Sequence, residues 1–392
     1  MSPPVGSPDT EPSGTGSPDL EPRDDGAGVF DRGVSWDPVV GPSHGRPDDE
    51  KPVAVPRLAR HEIVLDDSHR VGVAVSGRGL PVVLVHGFTA EGILYAQTLS
   101  RLVRMGFKVI AVDVAGHGGT QGLPSDGANI DAYVDLLARV VDDLGVRRAV
   151  FAGHSMGGRL VAQLAARDPQ RAVAVVLIDA TVGDAWDRLI GVSRFVPPVL
   201  VGVGLAAVID TLSTLPLLRD RRQAAKLGRL VAPTVRQHVV RPWRLFGPAV
   251  SLVRSRPSAP LLESLARDRV PVVVIHGDRD LVVPYRTALD TARRARAVLV
   301  TVRGGTHSWV LKDPETLPAI VAELLEGPLA PLRSAVTAAA GLTPGATTEQ
   351  VEDVFLEPRA KVRRLTPAVG LRASPLRHRR PRYRWLTTAR EA

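Results

Sequence analysis

The chain has 392 residues, 44% hydrophobic and 23% charged, which is enough for two or three compact units and a sizeable core. With 36 glycines and 33 prolines, collagen-like and wholly disordered readings fail, and with no cysteine there is no disulfide, thiolate metal site or cysteine nucleophile. The net charge of +9 is unevenly placed: residues 1–51 carry 11 acidic and 4 basic side chains, residues 357–392 carry 11 basic and 2 acidic.

Residues 1–56 repeat SPD and EP units with no hydrophobic period, so they cannot bury enough apolar area to offset ordering entropy and are expected to be disordered. The start has no basic n-region or apolar h-region, and a cytoplasmic protein is expected. From residue 57 the pattern changes to short β-branched runs alternating with amphipathic, helix-length segments, the signature of a parallel sheet covered by helices. Strands are predicted near 62–65, 71–75, 81–85, 109–112, 149–152, 173–178, 271–275 and 297–302, with helices at 93–105, 130–144, 156–166 and 285–295. The interval 182–268 is too long for an ordinary connection and predicts an inserted helical cap. Its most apolar stretch, 195–209, is broken by Pro197 and Pro198 and ends at Asp210, short of the roughly 20 residues a bilayer crossing needs. Pro-punctuated apolar pieces of this kind suit the wall of a greasy pocket as well as packing between helices. The expected domain ends at 326. Residues 327–392 read as a Pro/Ala/Arg-rich basic tail with one short helix at 348–355, introduced by a capping-box pattern from Thr347 to Gln350.

The chemistry concentrates at Gly153-His154-Ser155-Met156-Gly157, a G-x-S-x-G pattern directly after a predicted strand and before a predicted helix. A sharp turn there exposes Ser155, and small residues are needed because neighbouring backbone passes so close. A serine hydroxyl is a poor nucleophile until a base removes its proton, and the base needs an orienting acid. Both types follow in order: the segment His276 to Pro284, HGDRDLVVP, offers Asp278 and Asp280, and Gly304-Gly305-Thr306-His307 offers a histidine. Attack on a carbonyl also requires N–H donors for the oxyanion, one from Met156 and one from the loop His86-Gly87-Phe88-Thr89, where Phe88 is preferred to Thr89.

These motifs, HGF at 86–88, DVAGHGG at 113–119, GHSMGG at 153–158 and GDRDLVVP at 277–284 with the later His307, resemble the α/β-hydrolase fold superfamily over roughly residues 59–326. The resemblance implies a mostly parallel eight-stranded sheet flanked by helices, with an inserted helical cap, as in the esterase- and lipase-like capped serine hydrolases. It assigns Ser155 as nucleophile, His307 as base and Asp280 as acid, with Asp278 and Asp179 as the alternatives. Phe88 and Met156 become the oxyanion donors, and His86, Gly87, Gly153, His154 and Gly157 the supporting loop residues. Serine at the turn sets the chain apart from branches resembling epoxide hydrolases and haloalkane dehalogenases, which use aspartate there.

The same resemblance implies no cofactor and no metal, since His86, His117, His154 and His276 fall in loop motifs where such residues make hydrogen bonds. Gly202 to Ala207 formally matches the dinucleotide pattern G-x-G-x-x-A but lacks a strand-turn-helix setting. The expected substrate is a small apolar carboxylic ester. Carbon–carbon bond hydrolysis and cofactor-free perhydrolysis are the alternatives on one triad, and a non-catalytic interaction protein is the alternative in kind. The Arg-rich stretch 377–386 is read as a solvated tail before a nucleic-acid or anionic-membrane contact. Oligomeric state and natural substrate are not encoded in any of these motifs.

Overall fold

The computed structural model describes residues 53–88, 90–123, 129–214, 240, 246–343, 345–367, 373–376 and 379–388. Among the described residues eleven strands appear in chain order: β1 (Val53–Pro56), β2 (Ala59–Val64), β3 (Arg70–Ser76), β4 (Leu80–Val85), β5 (Phe107–Val112), β6 (Ala149–His154), β7 (Ala172–Ile178), β8 (Val272–Gly277), β9 (Val298–Arg303), β10 (Ala373–Leu376) and β11 (Arg384–Thr388). The main sheet has the order β11-β9-β8-β7-β6-β4-β5-β3-β2. Pairing is parallel from β5 through β4, β6, β7 and β8 to β9, and antiparallel where β3 meets β5, β2 meets β3 and β11 meets β9. Eight of the nine strands are the predicted ones. The ninth, β11, comes from the segment expected to be a tail.

Helices α1 (Ala96–Arg104), α10 (Thr316–Glu326) and α12 (Thr348–Phe355) cover one sheet face, and α2 (Ile130–Asp143), α3 (Met156–Arg167), α7 (Ala259–Arg267) and α8 (Tyr285–Arg294) cover the other. Because both faces are covered, the central strands are nearly continuous apolar runs, and β4, β5 and β8 are buried at every position. The predicted cap interval holds α4 (Asp184–Ser193), α5 (Pro197–Thr214), α6 (Phe246–Val253) and α7. Val203, Ala206 and Ala207 of α5 pack with Trp186 and Ile190 of α4 on Val282 and Val283, at the edge of the Asp280 loop. Phe195, Val201, Leu205 and Ile209 remain exposed. Gly202 and Gly204 sit inside α5 with open space beside them, so the dinucleotide-like pattern forms no phosphate-binding turn.

Past 326 the chain stays with the domain. After α9 (Trp309–Lys312) and α10 come α11 (Ala330–Ala339), α12 and α13 (Lys361–Leu365). The predicted capping box forms: Gln350 N–H donates to Thr347 Oγ1 at 3.2 Å and Thr347 N–H to Gln350 Oε1 at 2.8 Å. The described part of the Arg-rich stretch, residues 379–386, leads into the strand on the β9 edge for a physical reason, since its aromatics find partners there. The Trp385 indole N–H donates to Glu323 at 2.8 Å, and the Tyr383 ring meets that of Trp309 with centroids 6.2 Å apart. At the other end, β1 pairs with β10, so residues 53–56 of the expected disordered segment form a strand, while residues 1–52 lie outside those described.

α12 is tied to the sheet by a buried ion pair, Lys108 Nζ to Glu352 Oε1 at 3.0 Å, with Gly77 O and Thr366 Oγ1 accepting the remaining ammonium protons at 3.1 and 2.6 Å. Lys108→Met leaves Glu352 buried and poorly compensated. It is expected to lower the unfolding free energy in urea by roughly 3 to 5 kcal/mol, with most of that loss recovered when Glu352→Leu is added.

Candidate active site

The site assembles at the carboxyl ends of the parallel strands. Ser155 follows β6 and precedes α3 with φ 53° and ψ −120°, a left-handed conformation that side chains rarely adopt. The turn holds only because of its glycines: a Cβ on Gly157 would lie 2.1 Å from the Val85 carbonyl oxygen, and one on Gly153 would lie 2.3 Å from that of Gly157. Ser155 N–H donates to Ile178 O at 2.9 Å, which pins the turn to β7. Its carbonyl accepts from Gly158 and Thr181 N–H, so the hydroxyl is the polar group the turn leaves to the cleft.

His307 follows β9 and Asp280 follows β8, and the His307 Nδ1–H donates to Asp280 Oδ2 at 2.7 Å. The other carboxylate oxygen accepts from the Val282 and Val283 N–H groups, each at 2.8 Å. Burial works against ionisation of Asp280, but His307 beside it and these amides hold its pKa below the ordinary carboxylate value. Burial likewise opposes the imidazolium, yet the Asp280 carboxylate prevails and raises the His307 pKa to about 9. Asp278 is engaged elsewhere, accepting from Gly304 N–H at 2.6 Å. Asp179 is completely buried, accepts from Gly277 N–H at 2.8 Å, and is pushed well above the carboxylate range by burial and by Asp280.

No hydrogen bond among the described residues joins Ser155 directly to His307. The residue between Gly153 and Ser155 links their loops instead: His154 Nε2–H donates to the His307 carbonyl at 2.9 Å, and its Nδ1 accepts from the Tyr95 hydroxyl at 2.9 Å. Burial, with the nearby His307 charge, lowers the His154 pKa to about 3, so the ring is neutral and one tautomer satisfies both bonds. The oxyanion candidates are placed by a similar accounting. The Gly87 carbonyl accepts from Ala90 N–H at 3.1 Å and from His86 Nδ1–H at 2.8 Å, while His86 Nε2 accepts from Val114 N–H at 2.8 Å. With that carbonyl fixed and the peptide planar, the Phe88 N–H is fixed in the opposite direction. Met156 N–H opens α3, where helix geometry gives it no acceptor within the helix. A Cβ on Gly87 would reach within 3.0 Å of the Ser155 Cβ, so glycine lets this loop close over the turn. Thr89 lies outside the described residues.

Asp179, His276 and Asp280 bring potential ligand atoms within 4.8 Å of one another. His276 Nε2–H donates to Val283 O at 2.9 Å and Asp280 serves His307 and two amides, while Asp179 takes the Gly277 amide on Oδ1 and its buried Oδ2 has no hydrogen-bond partner among the described residues. Two participants had no local motif to reveal them. Tyr95 lies in a short 3-10 turn, Gly92–Tyr95, and reaches the site only through His154. Asp210, on α5, lies within 3.7 Å of Lys312 and adds to the negative field that raises His307.

A sequence profile of the alpha/beta hydrolase fold family matches residues 81–314. Over 270 residues the chain is 35% identical to a protein of Mycobacterium phage D29 described as a candidate non-heme haloperoxidase, covering 67% of this chain and 94% of that one. It is 30% identical over 266 residues to a bifunctional esterase/perhydrolase of Acinetobacter calcoaceticus, covering 61% of this chain and 90% of that one. Among solved structures, a protein from Acinetobacter baumannii AYE described as a candidate lipase superposes with a TM-score of 0.55 at 16% identity, covering 71% of this chain and 92% of that one. A carboxylesterase from the thaumarchaeon Nitrososphaera gargenis gives 0.52 at 21% identity, covering 70% and 99%. The chain is an enzyme of the α/β hydrolase fold family.

The raised His307 pKa carries a sign that can be measured. It contributes stability that is full below the ordinary value of 6.5 and is lost as pH rises through about 9. In ring-proton NMR titrations, Asp280→Asn should bring the His307 midpoint back towards 6.5; a wild-type midpoint already at or below that value would contradict the geometry.

Proposed function

We propose that the enzyme hydrolyses a carboxylic ester with an apolar acyl or alcohol part through an acyl-enzyme on Ser155. The observation that carries this reading is the 2.7 Å bond from His307 to Asp280 beside a serine held at φ 53° on the turn between β6 and α3. Ser155 Oγ attacks the ester carbonyl when His307 is in its neutral form, the minority form below about pH 9, so that the ring takes the serine proton and then returns it to the departing alcohol. Water, deprotonated by the same ring, releases the acid and restores the serine. Asp280 keeps the Nδ1–H tautomer and supports the charged ring, and the Phe88 and Met156 amides receive the oxyanion. The apolar side chains of α5 beside Val282 and Val283 support an apolar substrate.

Perhydrolysis is a second reading, supported by the Acinetobacter calcoaceticus relative named for both activities. Hydrogen peroxide would replace water on the same acyl-enzyme, giving a peroxyacid in place of the acid, with no change in the residues used. Both readings require Ser155. A fluorophosphonate should label the wild type and not Ser155→Ala, and turnover of p-nitrophenyl esters should fall by at least about a thousandfold in that variant. A series of acyl chain lengths sizes the pocket, and peroxyacid formation in the presence of hydrogen peroxide separates the two readings. Unlabelled, inactive but folded wild type would refute both.

A further inference from the structure

On the sheet face covered by α1 and α10, an apolar crevice of about 110 Å³ runs between the strands and the helices, with α11 along its outer side. Leu84, Ala152 and Ile275 form its floor, and Leu102, Leu324 and Val336 form its walls. It interrupts burial at the centre of the molecule: in β6 and β7 every residue is buried except Val150 and Val176, and both of these line the crevice. α11, for its part, has no fully buried residue. Water gains little in such a space, because an apolar cavity of this size offers it almost no partners.

Three of the lining residues carry a polar side chain. The Tyr95 hydroxyl is committed to His154, and the Thr98 hydroxyl donates to the Val310 carbonyl at 3.3 Å. The third, Arg333 on α11, is half-buried at the rim and forms no ion pair or side-chain hydrogen bond among the described residues. An apolar space with a single uncommitted guanidinium selects a ligand with a hydrocarbon body and one anionic end.

We propose that this crevice is a second binding site, which takes an aliphatic monocarboxylate with its chain against the sheet and its carboxylate on Arg333. Its lining contains none of Ser155, Asp280 and His307 and it does not depend on the hydrolase reading, although Tyr95, a wall of the crevice, supports His154, and Ile178, another, accepts the Ser155 N–H.

Calorimetric titration of the full chain with octanoate, and with octanol as the uncharged molecule of equal chain length, tests it. One saturable octanoate site is expected, about tenfold weaker in Arg333→Gln, with octanol binding unchanged by that substitution. Val336→Trp, which fills the crevice, should abolish both. Should Val336→Trp melt early, Arg333→Gln at the half-exposed rim still decides the matter. Absence of saturable octanoate binding, or binding indifferent to both substitutions, overturns the proposal. So does a dimer that Val336→Trp dissociates without octanoate ever binding, since the crevice would then belong to a second copy of the chain.

Discussion

The geometry of the candidate site rests on one steric constraint, the contact between the start of α3 and the end of β4. Gly157 lies so near the Val85 and His86 carbonyls that no side chain fits, and this approach leaves Ser155 at the left-handed turn. Two consequences follow. The first N–H groups of α3 lie beside the loop containing Phe88, and the carboxyl ends of β4 and β6 share one cleft. The strain at Ser155 is offset by its bond to Ile178 and by the helix that begins one residue later.

Around that turn, neighbouring ionisable groups are driven to opposite protonation states by small differences in their partners. Asp280 has an imidazole and two amides, and it ionises. Asp179, equally buried and with one amide bond, has its pKa pushed well above the carboxylate range by burial and by Asp280. His307 faces Asp280 and is drawn towards the cation, whereas His154, between a phenol and a carbonyl, is held neutral. One buried ion pair, Asp280 with His307, forms where two carboxyls and the imidazoles of His154, His276 and His307 crowd together, burial lowering the pKa of His154 and His276, which keeps the desolvation cost to a single pair.

The sequence made the parallel sheet legible because residues buried on both faces leave unbroken apolar runs, and it made Ser155 and His307 legible because each follows such a run through a glycine-marked turn. Asp280 and Asp278 are alike in sequence. Only the fold turns one to His307 and the other to the Gly304 amide. Tyr95 and Asp210 act through space from a 3-10 turn and a cap helix, and no spacing rule connects either to the motif it serves. The C-terminal strand escaped notice because arginines dominate its neighbourhood. Yet RWLTT alternates exposed and half-buried positions along β11, as an edge strand should.

That strand has a consequence for assembly of the chain. β11 is the last described element to leave the ribosome, and β10, the partner of β1, emerges shortly before it. Until then β9 presents an unpaired row of backbone donors and acceptors, an invitation to pair with another chain. The same late segment reaches the helices after His307, where Arg382 N–H donates to Asp313 and Tyr383 meets Trp309. A nascent chain interrupted soon after His307 would therefore carry both halves of the Asp280–His307 pair and an open, sticky edge beside them, so solubility and order around that histidine are completed together, once residues 373–388 have been added.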